Sequence, residues 1–277
     1  MRTFKKTAMA GALLLAGLTP AIACAQFENT SVTIGLKTWV TSWNTWFLQQ
    51  STNGIPGQAA PSLIIGNDVF NRKAESEVTI IPQLTVRNGP WLVSGSALAK
   101  KDFTFFLSNR GSNSLELNEA SFERKEYDVN FGYSLAPGAT VTLGWKDLRY
   151  KGGGYNYNAK GPTIGFSGSA PLAAGLSMYG NLAYGRPKIN EAAGTEKKRG
   201  NYLLTEIGLA YPLAQMNEGL KTAVVTAGYR YQRLSSGTIT STSYAVVNGQ
   251  VGQVLGERAV ELVDITEGVT LGVSFTF

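Results

Sequence analysis

The chain has 277 residues, a formal net charge of +6, no histidine and a single cysteine. Its content of 43% hydrophobic and 16% charged residues excludes an intrinsically disordered protein. Because histidine is absent, the commonest general base, the Ser-His-Asp arrangement and most zinc sites are excluded. We therefore expect no enzymatic activity, no cofactor and no metal site.

Residues 1–25 have the pattern of a secretory signal peptide. Three basic residues precede an apolar run at 8–18, and Ala23-Cys24-Ala25 supplies a small-x-small cleavage pattern. Processing at Cys24 as a lipoprotein is the alternative, although the third position upstream holds alanine where that motif prefers leucine. Cleavage after Ala25 leaves one domain, 26–277, and removes three of the 25 basic residues, so that 22 remain against 19 acidic ones. This small excess does not predict nucleic-acid binding.

The rest of the chain alternates apolar with small or polar residues at period two, which predicts β-strands. No segment of comparable length keeps apolar residues at helical spacing, so the predicted fold class is all-β. In chain order, the apolar faces of the predicted strands begin at Val32, Val78, Trp91, Tyr127, Val141, Ile164, Leu176, Leu203, Val225 and Val269.

The connections between these strands fall into two classes of length. Four compact turns contain Gly and Pro or Asn, whereas five longer links are polar. Short turns at one end and long loops at the other are typical of a transmembrane, antiparallel, up-and-down β-barrel, whereas a soluble sandwich would not segregate its loop lengths in this way. The count predicts ten strands with both termini at the periplasmic end. The long links are 44–77, 107–114, 151–160, 187–199 and 235–264.

The link 235–264 leaves the strand number open. Asn248-Gly249 stands between two runs that have strand character, and this dipeptide is a strong signal for a two-residue hairpin. If the hairpin is extracellular, the last two strands extend as a ribbon above the membrane and the barrel keeps ten strands. If the turn is periplasmic, the barrel has twelve.

The final segment, Val269 to Phe277, alternates to its end and closes on an aromatic residue. It resembles the terminal strand of Gram-negative outer-membrane β-barrels, in which the last Phe belongs to the signal read by the assembly machinery. The resemblance implies an outer-membrane location and an assembly signal at Phe275 and Phe277. It also implies outer-membrane lipid, lipopolysaccharide and the assembly machinery as partners.

The residues that alternate with the apolar faces are predicted to line the barrel interior, and Gly, Ser and Thr dominate them. Small side chains favour a narrow wet passage, whereas a strand number near eight favours an interior filled by side chains. Charged residues in the lining are expected either to pair as a salt-bridge network or to stay hydrated. The predicted charged lining is Lys37, Lys100, Glu126, Asp128, Lys146, Glu206 and Arg230.

Four basic against three acidic lining residues predict a narrow passive channel for small solutes with a mild anion preference. The alternative is a closed barrel that recognises or adheres to surfaces through its extracellular loops, among which link 44–77 is unusually apolar. Aromatic residues near strand ends are interpreted as interfacial girdles. These are Trp43, Trp91, Tyr150 and Tyr211.

Overall fold

The computed structural model describes residues 30–45, 72–109, 116–152, 155–191, 198–213, 220–247 and 250–277. The predicted signal peptide 1–25 and most of link 44–77 lie outside these residues. No helix in the described ranges is long and apolar enough to cross a membrane.

The described residues are almost entirely β-strand, as the period-two pattern predicts. A short 3-10 turn, Ala173–Gly175, follows β7. The strands are β1 (Thr30–Thr45), β2 (Arg72–Lys73), β3 (Glu77–Asn88), β4 (Trp91–Asn109), β5 (Glu116–Ala136), β6 (Ala139–Gly152), β7 (Tyr155–Pro171), β8 (Ser177–Gly185), β9 (Lys188–Glu191), β10 (Lys198–Arg199), β11 (Asn201–Leu213), β12 (Thr222–Val247) and β13 (Gln250–Thr276).

The strands form one closed antiparallel sheet. The sheet order is β10-β9-β7-β6-β5-β4-β3-β1-β13-β12-β11-β8, and pairing of β7 with β8 closes it into a barrel. Three short segments, β2, β9 and β10, continue the walls formed by β3, β8 and β11. The thirteen strand segments of the described residues therefore make up ten barrel strands, and this confirms the predicted all-β, ten-stranded barrel.

A break between β8 and β9 has a covalent cause. Pro187 stands between these segments and carries no amide hydrogen, so it cannot donate to the sheet ladder. Its carbonyl oxygen accepts a hydrogen bond from the Gly200 amide at 2.9 Å, which joins the matching break between β10 and β11. The wall therefore stays closed across both interruptions.

The two ends of the barrel differ. The end that holds Thr30, Phe277 and the turns at 89–90 and 137–138 is called the terminal end here. The opposite end, which holds the β4, β6 and β12 C-termini, is called the loop end. Two-residue turns are possible at the terminal end because Gly89 and Gly138 adopt φ values of 54° and 77°.

Strands extend through most of the segments expected to be loops. β4 and β5 pair as far as Asn109 and Glu116, and β12 and β13 pair from Thr222 and Thr276 to Val247 and Gln250. The second pairing makes 235–264 one continuous hairpin and agrees with ten strands rather than twelve.

Apolar side chains form a belt around the outside of the barrel, as the faces predict for a barrel in lipid. The belt marks the membrane-spanning segments, and its lower edge carries Trp91 and Tyr211, which are 49% and 50% exposed. The other predicted girdle residues, Trp43 and Tyr150, are buried inside the barrel, which corrects that interpretation. The belt includes Val40, Ile80, Leu84, Val93, Tyr127, Val129, Phe131, Leu143, Trp145, Ile164, Phe166, Leu182, Ile207, Leu209, Tyr229, Val269 and Leu271.

Candidate functional site in the barrel interior

The barrel interior contains a layer of paired charges, which we call the charge layer. Its members come from β1, β5, β6, β11, β12 and β13, and the strand alternation aims each of them inward. In the described part of the chain, four of them are basic and four are acidic. They are Lys37, Arg124, Lys146, Arg230, Glu126, Asp128, Glu206 and Asp264.

Lys146 joins the two carboxylates of β5. Its Nζ donates to Glu126 Oε2 and to Asp128 Oδ2, each at 2.8 Å, and its side chain is 1% exposed. Lys146 and Asp128 are cross-strand partners in the register of β5 and β6, so their contact follows directly from the strand pairing. The Tyr202 ring lies over the same ammonium, at 5.4 Å from its centroid.

Arg230 connects the two halves of the charge layer. Its guanidinium lies 4.0 Å from Glu126 Oε2 and 3.8 Å from Glu206 Oε2, and its Cζ stands 4.9 Å from the Trp39 ring centroid. Lys37 donates to the other oxygen of Glu206 at 2.6 Å. The layer therefore forms one network across the lumen rather than separate pairs.

Two members of the charge layer were missed by the sequence reasoning. Arg124 is fully buried, and its Nε donates to Glu126 Oε1 at 2.7 Å while its Nη1 donates to the Thr266 hydroxyl. Asp264 is 2% exposed and accepts a hydrogen bond from Trp43 Nε1 at 2.6 Å. A usable signal existed, because Arg124 shares the face of Glu126 two residues away and Asp264 lies on the even-numbered inward face of β13.

The structure places Lys100 outside this layer, which corrects the predicted lining. β4 has a register shift between Leu98 and Lys101, so that its inward face passes from even-numbered residues to Lys101 and Phe103. Lys100 consequently lies on the outer wall, 2.9 Å from Glu123 Oε2, with a 55% exposed side chain. The prediction was wrong because it assumed strict alternation of inward and outward residues across the bulge.

Above the charge layer, toward the loop end, aromatic and aliphatic side chains fill the barrel. We call this cluster the aromatic plug. The Trp43 ring packs edge-on against Phe103 and Phe105, with centroids 5.2 and 5.0 Å away, and stacks on Tyr150 at 5.1 Å. The cluster comprises Trp43, Ala74, Phe103, Phe105, Phe122, Leu148, Tyr150, Tyr157, Ala159, Ile189, Tyr202 and Leu234.

The charge layer and the aromatic plug are held together by Arg124. Its Cζ lies 5.3 Å from the Trp43 ring centroid and 5.2 Å from that of Tyr150, so the guanidinium stacks on both aromatic faces. Asp264 receives hydrogen bonds from the same two residues, with Tyr150 donating at 3.2 Å. The two layers therefore form a continuous filling of the described loop half of the barrel.

Below the charge layer, toward the terminal end, the interior is polar and partly empty. A cavity of about 290 Å³ reaches the layer at Lys37, Asp128 and Arg230. Its wall consists largely of hydroxyl and amide side chains, which can hold water. The wall includes Gln83, Thr85, Ser94, Ser96, Asn130, Thr142, Thr163, Ser167 and Asn181.

The interior carboxylates form ion pairs with basic side chains. Glu126 contacts Arg124, Lys146 and Arg230, and Glu206 contacts Lys37 and Arg230. Within the described ranges, no group of three His, Cys, Asp or Glu side chains is arranged to hold a metal ion. The arrangement is that of a structural network, in which Glu126, Asp128 and Glu206 each form an ion pair with a basic neighbour.

A closed antiparallel barrel with an apolar outer belt and a polar interior defines an integral outer-membrane β-barrel of the Gram-negative type. Among solved structures the chain is similar to the outer-membrane protease OmpT from Escherichia coli. The identity is 14% over 90% of this chain and 97% of that chain, with a TM-score of 0.46.

Two other similar structures come from Pseudomonas. A P. aeruginosa FadL homologue is 14% identical over 91% of this chain and 65% of that chain, with a TM-score of 0.33. The P. putida toluene transporter TodX is 9% identical over 90% of both chains, with a TM-score of 0.30. No family model and no curated protein matches the chain. These similarities carry no argument about activity.

Proposed function

We propose that this protein is a non-enzymatic, closed outer-membrane barrel that acts by surface recognition at its loop end. The observation that carries the proposal is the filled interior. Trp43, Arg124 and Lys146 are 0–1% exposed, although they lie on three different walls of the barrel. Side chains from several strands therefore meet inside the described lumen, which supports a closed barrel.

The energetics of the charge layer support closure. A passing ion would have to separate buried pairs such as Lys37 and Glu206, and leaving a buried charge without its partner costs about 3–5 kcal/mol. Loss of the aromatic contacts above the layer adds to this barrier. Thermal fluctuation would rarely open such a filling.

The charge layer contains equal numbers of basic and acidic residues, so its charge does not favour anions. Lys100 lies outside, whereas Arg124 and Asp264 join the interior, so the described layer contains four basic and four acidic residues instead of four and three. A balanced layer does not focus a field of one sign. We therefore do not propose a selectivity for anions.

The loop end supports a recognition role. β12 and β13 contain 26 and 27 residues, whereas a tilted strand needs only about 9–11 residues to cross a bilayer. The excess extends the pairing of β12 with β13 well beyond the belt, as far as Val247 and Gln250. Recognition at loop tips carried by a rigid sheet is a common use of such scaffolds.

A narrow passive channel is the second candidate, and the 290 Å³ polar cavity favours it. This cavity reaches the charge layer from the terminal end, and among the described residues the layer and the aromatic plug separate it from the loop end. A channel would require these two layers to move apart together. Small solutes would then be its substrates.

Planar-bilayer recording of the full chain tests the closed barrel directly. We expect no discrete single-channel currents from protein that runs as a folded barrel on unboiled gels. Stable, stepwise conductance of the wild-type protein would overturn the proposal and favour the channel.

Thiol labelling provides an independent test, because the sole cysteine, Cys24, is removed if cleavage follows Ala25. A Ser94→Cys variant places a thiol in the cavity below the charge layer. A small charged thiol reagent should label it only after cells are permeabilised. Lys151→Cys, exposed at the loop end, is the matched control and should react on intact cells. Equal labelling of both variants on intact cells would contradict a closed barrel.

The recognition role is tested by shortening the β12–β13 ribbon. Replacing residues 238–261 by Asn-Gly keeps the pairs that form the membrane-spanning hairpin. Cells that display the wild-type barrel should aggregate faster than cells that display the shortened one, as measured by settling. Equal settling at equal surface levels would contradict recognition through this ribbon.

A further inference from the structure

A band of basic side chains runs along the outer wall just above the apolar belt, at the loop end of β4 to β10. Each member is exposed or half-exposed. For five of the six, a chain neighbour is buried inside, namely Arg124, Leu148, Ala159, Ile189 or Gly200. The alternation of the strands therefore directs these cations outward. The basic band comprises Lys100, Lys125, Arg149, Lys160, Lys188 and Arg199.

The strand register places like charges directly opposite one another. Lys125 pairs with Arg149, Lys160 pairs with Lys188, and Lys188 pairs in turn with Arg199. Cross-strand neighbours of the same sign destabilise a sheet. A bound anion that bridges the cations would relieve the repulsion at these three contacts.

Two carboxylates contact four of the six cations of the basic band and so neutralise only part of its charge. Glu123 lies 2.9 Å from Lys100 and 2.6 Å from Lys125, and Asp147 lies 2.6 Å from Arg149 and 3.2 Å from Lys160. Hydrogen bonds from Lys125 and Lys100 lower the pKa of the Glu123 carboxyl to about 2, so it stays ionised. The ion pairs of the described residues do not include Lys188 or Arg199.

The position of the basic band relative to the apolar belt indicates where an anion bound to it would lie. Tyr127 and Trp145, 37% and 54% exposed, mark the upper edge of the belt on β5 and β6. Arg149 lies four residues above Trp145 on the same strand, and its Cζ stands 5.5 Å from the Tyr127 ring centroid. Aromatic residues of this kind lie at the membrane–water interface, so the cations directly above them lie at the level of lipid headgroups.

We propose that the basic band is a binding site for the phosphate groups of lipopolysaccharide in the outer leaflet. Guanidinium and ammonium groups are the usual partners of phosphate, and a diphosphorylated glycolipid presents two such anions on a rigid sugar. Lipid A phosphates would insert between the opposed pairs Lys160–Lys188 and Lys125–Arg149 and relieve their repulsion. The acyl chains would then run down the belt below. This site does not depend on whether the lumen is open.

The test uses the full-length barrel in detergent and three probes: diphosphorylated lipid A, the same lipid A after enzymatic removal of its phosphates, and inorganic phosphate. Basic residues near a charged lipid surface contribute about 1 kcal/mol each, so Lys160→Gln/Lys188→Gln should weaken lipid A binding about thirtyfold. Arg87→Gln/Lys221→Gln at the terminal end makes the same change in charge and should bind as the wild type does.

We expect the dephosphorylated lipid to bind weakly to every variant, and inorganic phosphate to leave lipid A binding unchanged. Lys125→Gln/Arg149→Gln supplies a second pair if the first does not fold. Undiminished lipid A binding by folded Lys160→Gln/Lys188→Gln would overturn the proposal, as would an equal loss in the terminal-end control. Full competition by inorganic phosphate would show a free-phosphate site instead and would also overturn it.

Discussion

Lys37 and Glu206 meet inside the barrel with a 2.6 Å bond between Nζ and Oε1, although they stand 169 residues apart in the chain. They lie on β1 and β11, and β13 and β12 stand between these strands in the sheet. No single hairpin brings them together, because the contact crosses the lumen. The pair therefore forms only when the barrel closes.

Loss of Glu206 is predicted to destabilise the barrel more than loss of Lys37. Without Lys37, Glu206 still has Tyr179, whose hydroxyl donates at 2.9 Å, and Arg230 at 3.8 Å. Without Glu206, the buried ammonium of Lys37 has no acidic partner left among the described residues. Glu206→Met should lower the free energy of unfolding by about 3–5 kcal/mol, and Lys37→Met by about 1.5–3 kcal/mol.

Urea unfolding of barrels refolded in detergent measures both losses. The double variant Lys37→Met/Glu206→Met should be less damaging than the sum of the single changes. Lys221→Met, an exposed change at the terminal end, serves as the control and should have little effect. Equal losses for the two single variants would contradict this account of the charge layer.

Gly268 is predicted to be irreplaceable where the first and last strands, β1 and β13, pair. Its φ is +156°, and a Cβ atom there would stand 1.8 Å from the Val40 carbonyl oxygen. Gly268→Ala should therefore destabilise the barrel by about 2–3 kcal/mol or prevent folding. Gly180→Ala is the matched control, because its Cβ would meet only the Glu206 carbonyl oxygen at 3.8 Å. Similar melting of the two variants would refute the prediction.

The turn at Asn248-Gly249 is predicted to lie outside the cell. Strand pairing from Thr222 to Val247 carries this end of the hairpin away from the terminal end. An epitope tag inserted between Asn248 and Gly249 should be detected by antibody on intact cells. A tag in the turn at 137–138 should be detected only after permeabilisation. The reverse pattern would invert the proposed orientation.

The Glu123 carboxyl is predicted to titrate near pH 2, against an ordinary value of about 4.3 for glutamate. Because its pKa is lowered in the folded barrel, the stabilising effect is present above the unfolded pKa and is lost as the pH falls toward 2. Salt should weaken the effect, since the group is partly exposed to solvent. Carboxyl NMR in micelles measures it, and Lys125→Gln should raise the pKa. A value near 4.3 in the wild type would disprove the ion-pair geometry.

Phe277 is predicted to act in assembly rather than in the stability of the finished barrel. Its amide donates to the Val32 carbonyl oxygen at 2.9 Å, a bond that side-chain substitution leaves in place. Phe277→Asp should reduce the amount of barrel in the outer membrane, measured by fractionation, while refolding in detergent is retained. Phe277→Tyr should assemble normally. Normal membrane levels of Phe277→Asp would remove the proposed signal.

The sequence alone determined the class of fold and the outward face. Period-two alternation at Val129, Phe131 and Leu143 predicts which side chains meet lipid, because a strand in a bilayer must keep one whole face apolar. The same reasoning placed Lys37, Glu126, Asp128, Lys146, Glu206 and Arg230 on the opposite face, where the structure has them.

Only the tertiary structure decided how the interior is filled. A single bulge after Leu98 moved Lys100 outward, and strand pairing beyond the belt brought Arg124 and Asp264 into the charge layer. Trp43 and Tyr150 have the composition of interfacial residues yet lie inside. Alternation specifies the face of a residue but not its partner across the lumen. That partner depends on the register and closure of all ten walls, which is a property of the whole barrel.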